Sequence, residues 1–376
     1  MVNQDRIVQE FMELVQIDSA PGQERQLADA LKQKLEALGL EVLEDNAGAA
    51  IGGDTGNIIA RLPGQLKNVP TVAFAAHMDR VTPGFGIKPQ IKDDVIYSDG
   101  TTILAADDVA GIVQMLEAVR VLKEQKIEHG DIELLFTISE EAGLQGAKNL
   151  DRNLLKAEAA YFLDGGGDVG TIIPSAPAQK KLTVKVYGVP AHAGIEPEKG
   201  TSAIVVAAEA ITRMNLGRID EESTCNIGII KGGQATNIIP AEVTLIGEVR
   251  SRNEAKLEAQ VNHMVSEFEA AADRFGVTVD IEIEESYPAM NLSEDDQAVQ
   301  LVVEATKALG LSPVLVPTGG GSDANILVGK GLPSVILGIG MEKVHSTEEF
   351  ISIKQLVAGA ELVVAIVQQA ANAKVE

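Results

Sequence analysis

The chain has 376 residues with a formal net charge of −24, from 31 basic and 55 acidic side chains. That field repels phosphate and argues against nucleic acid or an anionic membrane as a partner. A single cysteine, Cys225, excludes a disulfide within the chain and fits a reducing, cytoplasmic setting.

The first residues carry acids and an amphipathic pattern, so they read as a helix and not as a signal peptide. No apolar run approaches the length of a membrane span. Helical periodicity covers 3–17 and 23–39, punctuated by Pro21-Gly22. Nearly continuous apolar strands are expected at 71–76, 132–138 and 159–163, with a helix from about 107 to 121. Strands apolar on both faces belong to a sheet covered by helices on both sides.

The pattern then changes. A strand at 182–187, a helix at 202–214, strands at 224–230 and 243–249, a long helix at 253–274 and a strand at 277–283 follow one another. This β-α-β-β-α-β order is ferredoxin-like. Cys225 lies in one of these strands and reads as a small buried hydrophobe. After it, α/β patterning resumes with a helix at 294–309, the loop Gly319-Gly320-Gly321, a strand at 334–337 and a helix at 353–372. The expected organisation is a split α/β domain, 1–180 plus 291–376, with a small α+β domain inserted at 181–290.

Only five histidines exist: His77, His129, His192, His263 and His345. His77, Glu140-Glu141, Asp164 and His345 fall just after predicted core strands, and Asp107-Asp108 opens a helix. Ligands of open α/β sheets bind at that edge, so these distant residues can converge. Two histidines with several carboxylates suit zinc, and a carboxylate can bridge two cations. An acidic pair is usually a solvated face, and a strand-end histidine is usually structural. Both acidic pairs here, however, abut apolar strands, where unpaired carboxylates are costly.

The segments Ala76-His77-Met78-Asp79, Asp99-Gly100-Thr101-Thr102-Ile103-Leu104-Ala105-Ala106-Asp107-Asp108, Ser139-Glu140-Glu141-Ala142-Gly143, Leu163-Asp164-Gly165-Gly166 and Val344-His345-Ser346-Thr347-Glu348-Glu349-Phe350 together resemble the peptidase T group. That group belongs to the broad family of two-zinc exopeptidases and deacylases that includes carboxypeptidase G and succinyl-diaminopimelate desuccinylase. The resemblance implies one Zn2+ on His77, Asp107 and Asp164 and another on Asp107, Glu141 and His345, with Co2+ or Mn2+ as substitutes. It implies Glu140 as general base, Asp79 orienting His77, and a cis peptide after Asp107. In the inserted domain it implies His192 as a donor to the oxyanion across a homodimer, Asn237 and the Gly320-Gly321 turn as substrate contacts, and Arg250 as the partner of a substrate carboxylate. His129 and His263 match nothing and are expected at the surface.

The expected substrates are short peptides, cut from the N-terminus, tripeptides among them. The peptidase T group usually has glycine at the Ala105 position and lysine at Val109, which leaves strict tripeptide specificity open. Asp164 stands where carboxypeptidase members have glutamate. A deacylase of N-acyl amino acids would use the same residues. A non-catalytic metal or peptide binder would lack a base, whereas Glu140 is present. A related glutamyl-type aminopeptidase family inserts its extra domain between the first histidine and the bridging aspartate, where this chain has too few residues for one.

Overall fold

In the computed structural model, which describes residues 1–373, the apolar runs form the centre of a mixed sheet. Seven of its strands follow in the order Glu41–Glu44, Ile58–Leu62, Ile132–Thr137, Val72–His77, Ala159–Gly165, Ser334–Gly338 and Thr171–Ala176. The four central strands run parallel, and Ile58–Leu62 and Thr171–Ala176 beside them are antiparallel to them. Val72–His77 is buried at every position. Val72, Phe74 and Ala76 join the large core, and the alternating Ala73 and Ala75 point the other way.

Helices Gln4–Leu14, Arg25–Ala37, Ala106–Glu124, Gln297–Ala308 and Ile353–Asn372 contribute to that large core. Phe74 packs against Tyr161 at 5.6 Å between ring centroids, and the Tyr161 hydroxyl donates to the Ala298 carbonyl at 3.2 Å. The short helix Asp323–Gly329 packs on the strands Ser334–Gly338 and Ala159–Gly165.

Two sequence expectations are corrected here. Helix Ile353–Asn372 is long and apolar enough, by length and composition, to cross a membrane. It is mostly buried and packs against Ala106–Glu124, so its apolarity serves the core. His129 is not a surface residue: it is 3% exposed, with Nδ1 2.6 Å from the Gly130 carbonyl oxygen. His263 is half-buried, and its Nε2 is enclosed. The strands Glu41–Glu44, Ile58–Leu62 and Thr171–Ala176 went unseen in the sequence because their apolar stretches are short and flanked by polar residues.

The chain divides into two compact units. One comprises Met1–Ser175, Asn291–Thr318 and the residues from Ser322 onward, and the other comprises Ala176–Met290 with Gly319–Gly321. The second unit has its own antiparallel sheet, ordered Gly217–Arg218, Ser223–Gly232, Glu242–Ser251, Ala178–Tyr187 and Thr278–Tyr287. Strict alternation along Glu242–Ser251 turns Val243, Leu245 and Val249 inward, against helices Ala203–Ile211 and Glu254–Phe275. Ser202 and Asn253 cap those helices through side-chain oxygens, and Gly276 ends the second in a left-handed conformation. Cys225 is buried in this core, its sulfur 3.3 Å from that of Met264.

Candidate metal centre

The parallel strands deliver their ends to one place. His77 closes Val72–His77, Asp164 lies near the end of Ala159–Gly165, and Glu140-Glu141 sit in the turn after Ile132–Thr137. Asp107 comes from the irregular start of Ala106–Glu124, where Ala105 takes φ 60°, Asp107 and Asp108 depart from helical angles, and the Asp107–Asp108 peptide is cis. His345, with φ 62°, follows the short strand Met341–Glu342.

His77 Nε2 is 2.9 Å from Asp107 Oδ1 and 3.9 Å from Asp164 Oδ1. His345 Nε2 is 2.7 Å from Glu141 Oε1 and 3.3 Å from Asp107 Oδ2. The two carboxylate oxygens of Asp107 therefore face different histidines. Ligand atoms of His77, Asp107 and Asp164 lie within 4.8 Å of one another, as do those of Asp107, Glu141 and His345. Glu140 groups with His77 and Glu141 by the same measure.

Further residues hold these side chains. His77 Nδ1 donates to the carbonyl of residue 79 at 2.9 Å, while the Asp79 carboxylate is farther, at 3.6 Å. Donation from Nδ1 leaves Nε2 facing Asp107, where it donates when protonated and could offer its lone pair to a cation when neutral. The Asp79 carboxylate instead accepts the backbone N–H of Glu140 at 2.8 Å and of Glu141 at 3.0 Å. Ser322 Oγ donates to Asp164 Oδ2 at 3.0 Å, and Asp108 Oδ2 accepts the His77 N–H at 3.1 Å. Glu349 accepts the backbone N–H groups of Leu104, Ala105 and Asp107 at 2.8–3.0 Å. The supporting roles of Ser322, Asp108 and Glu349 went unread, although Glu349 lies only four residues after His345.

The electrostatics fit divalent cations. Burial pushes the Asp164 carboxyl up to about 8, with the Asp107 charge adding to it. Burial and then the charge of Asp164 raise Glu140, against the pull of His77. Burial opposes protonation of His77, yet its hydrogen bond to Asp107 and the nearby Asp79 carboxylate outweigh that and raise its pKa. Asp107 and Glu141 hold His345 up at about 10. Nitrogen and oxygen donors at this spacing, with excess negative charge, suit two cations sharing Asp107.

The second unit holds the other sequence candidates. His192 is exposed, forms a bridge with Ile238, and its Nδ1 accepts the Gly194 N–H at 3.2 Å. The Asn237 carbonyl accepts the Ala193 N–H at 2.9 Å. Arg250 is engaged already: Nε and Nη2 donate to the two Glu248 oxygens at 3.0 and 3.1 Å. Its Nη1 reaches the Gly319 carbonyl at 3.4 Å, and Gly321 lies against the Tyr287 ring.

The profile of peptidase family M20/M25/M40 matches residues 73–369, which include every residue of the metal-centre groups. The chain belongs to this peptidase family. It is 47% identical over 372 residues to the uncharacterised protein YqjE of Bacillus subtilis, covering 99% of this chain and all of that one. The crystal structure of aminopeptidase PepT from Bacillus cereus is 48% identical with a TM-score of 0.94, covering 98% of this chain and 99% of that one. The structure of a tripeptidase from Staphylococcus aureus is 43% identical with a TM-score of 0.96, covering 99% and 100%. The chain is therefore a peptidase-family enzyme of the peptidase T type, with the α/β architecture of that family.

Proposed function

We propose that the protein is a two-metal aminopeptidase that hydrolyses peptide bonds in short peptides, tripeptides among them. One observation carries the reading: the Asp107 oxygens split between His77 and His345, each with a further carboxylate in reach. His77, Asp107 and Asp164 would hold one cation, and Asp107, Glu141 and His345 the other. Two zinc ions are the natural occupants, with cobalt or manganese as substitutes. When bound, they would supply Lewis acidity and lower the pKa of a water in the site toward neutrality.

Glu140, beside His77 and Glu141, would act as general base toward a water in the site. A raised pKa brings a carboxylate closer to the operating pH, where proton transfer in both directions is efficient. It takes the proton as the water oxygen attacks the peptide carbonyl carbon. It gives a proton to the amine nitrogen as the C–N bond breaks. Asp79 holds the Glu140-Glu141 turn through its amides, which fixes the base relative to the ligands.

In the second unit, His192 is the donor to the oxyanion, and Asn237, Gly320 and Gly321 contact the substrate backbone. Arg250 recognises a terminal carboxylate by its planar fork, which would limit peptide length. The second unit serves as lid and dimerisation domain of a homodimer. Its strand Ser223–Gly232 exposes Ile229 and Ile230, which supports this. The compartment is the cytoplasm.

The test is a panel of di-, tri- and tetrapeptides run beside N-acyl amino acids, with added zinc or cobalt. Tripeptide turnover should dominate, and Glu140→Gln should lower kcat by about 10²–10⁴-fold with metal uptake intact. Turnover of N-acyl amino acids alone would overturn the aminopeptidase reading. Full activity of Glu140→Gln would remove the base.

A further inference from the structure

Glu349 is 1% exposed, and its carboxylate accepts from backbone amides. Its Oε2 accepts from Leu104 N at 2.8 Å and Ala105 N at 2.9 Å, and its Oε1 accepts from Asp107 N at 3.0 Å. Three amides on one carboxylate form a charge-assisted clamp, stronger than neutral hydrogen bonds. The clamped segment is the one that turns through the left-handed Ala105 to present Asp107. An alanine does not hold that conformation readily on its own.

The clamp also ties two distant stretches of chain. Glu349 follows His345 by four residues and precedes the strand Phe350–Ser352, which pairs with Val95–Tyr97. One side chain thus fixes the loop of Asp107 against the loop of His345. The two candidate cation groups differ in how far they depend on it. His77 is held by the carbonyl of residue 79 and by Asp108, and Asp164 is held by Ser322. His345 has a half-exposed side chain, and its ring contacts are with the ligand carboxylates Glu141 and Asp107 themselves.

We propose that Glu349 is a positioning residue that sets the cation affinity of the Asp107–Glu141–His345 group selectively. The inference rests on the two-cation reading above. In Glu349→Gln, one acceptor oxygen becomes an NH2 group facing an amide N–H, so one arm of the clamp is lost. Glu349→Asp keeps both acceptors on a shorter arm and should fall between wild type and Glu349→Gln.

The experiment strips the full-length protein with chelator, titrates Zn2+ calorimetrically, and counts bound metal by mass spectrometry. Cobalt absorption spectra report on ligand geometry, and thermal unfolding of the metal-free proteins reports on the fold. Wild type should bind two ions. Glu349→Gln should keep the tighter ion and bind the second at least tenfold more weakly. Adding Ala105→Gly, which lets the turn form without the clamp, should recover part of the second affinity. If Glu349→Gln gives no soluble protein, Glu349→Asp is judged by the same criteria. Second-ion affinity equal to wild type, or equal loss of both ions with general melting, overturns the proposal. A wild-type stoichiometry below two overturns the two-cation reading and this inference with it, and that failure is visible before any variant is made.

Discussion

Asp79→Asn offers a sharp test of how the site is held. The carboxylate is 1% exposed and accepts two backbone N–H groups, from Glu140 at 2.8 Å and Glu141 at 3.0 Å. Asparagine keeps one acceptor and sets an NH2 group against the other amide. A lost hydrogen bond to a charged group costs about 1.5–3 kcal/mol, with part of that cost the orphaned buried amide. The metal-free protein should therefore lose about 2–3 kcal/mol of stability, read by chemical denaturation in chelator. The turn that carries the base and a ligand should loosen, so kcat on a tripeptide should fall by about 10–100-fold. His77 should keep its orientation, because Nδ1 donates to the residue 79 carbonyl, which the substitution leaves in place. Unchanged stability of the metal-free variant, with loss confined to metal affinity, would refute the amide clamp. It would assign the carboxylate to His77 instead.

Other outcomes follow from the same physics. Ala105 has φ 60° and is fully buried; Ala105→Gly should stay within about 1 kcal/mol of wild type, while Ala105→Val should cost more than about 2 kcal/mol by denaturation. Hydrogen bonds from Arg25, with help from Lys32, hold the Glu44 carboxyl down at about 2. A depressed folded-state pKa stabilises above the unfolded value near 4.5 and loses that stabilisation as pH falls toward 2. Arg25→Met should therefore flatten the acid limb of the stability profile by about 1–2 kcal/mol, after allowing for screening of this partly exposed pair. Glu248→Gln should release Arg250 and lower KM for tripeptides with a free carboxylate by about fivefold, as expected for roughly 1 kcal/mol, without changing KM for C-terminal amides. Equal effects on both substrates would remove Arg250 from carboxylate recognition.

The layered fold was legible because buried parallel strands write themselves as unbroken apolar runs, such as Ile132–Thr137 and Val72–His77. The metal-centre candidates were legible because polar residues at the ends of such runs have few bland explanations. The turns between were not. Ala105 reads as an ordinary helix former, yet it sits left-handed before Asp107. Glycine would adopt that conformation without strain, and this chain holds it with alanine. Supporting contacts were invisible for another reason. Glu349 bonds to amides more than 240 positions away, and its partners are backbone atoms, which have no letter in a sequence. Asp79 was expected to orient His77, but the ring bonds to its carbonyl, and the grip of its carboxylate on the Glu140-Glu141 amides needed the fold.

The centre is also a poor arrangement for stability, and that is part of the case for cations. Asp79, Asp107, Asp108, Asp164, Glu140, Glu141, Asp323 and Glu349 gather around two histidines. Burial pushes Asp323 and Glu349 up to about 7, Asp164 to about 8, and Asp108 upward as well. Asp107 moves down, because His345 and His77 together outweigh its burial. A carboxyl raised above its unfolded value near 4 subtracts stability as pH climbs from that value to the folded one. Near neutrality, the metal-free fold must therefore either hold protons on these groups or keep charges that burial disfavours. Packing gains nothing from such a cluster, and apolar side chains of similar volume would be cheaper. Divalent cations remove the conflict: they neutralise the carboxylates and release the protons, so binding energy becomes folding energy.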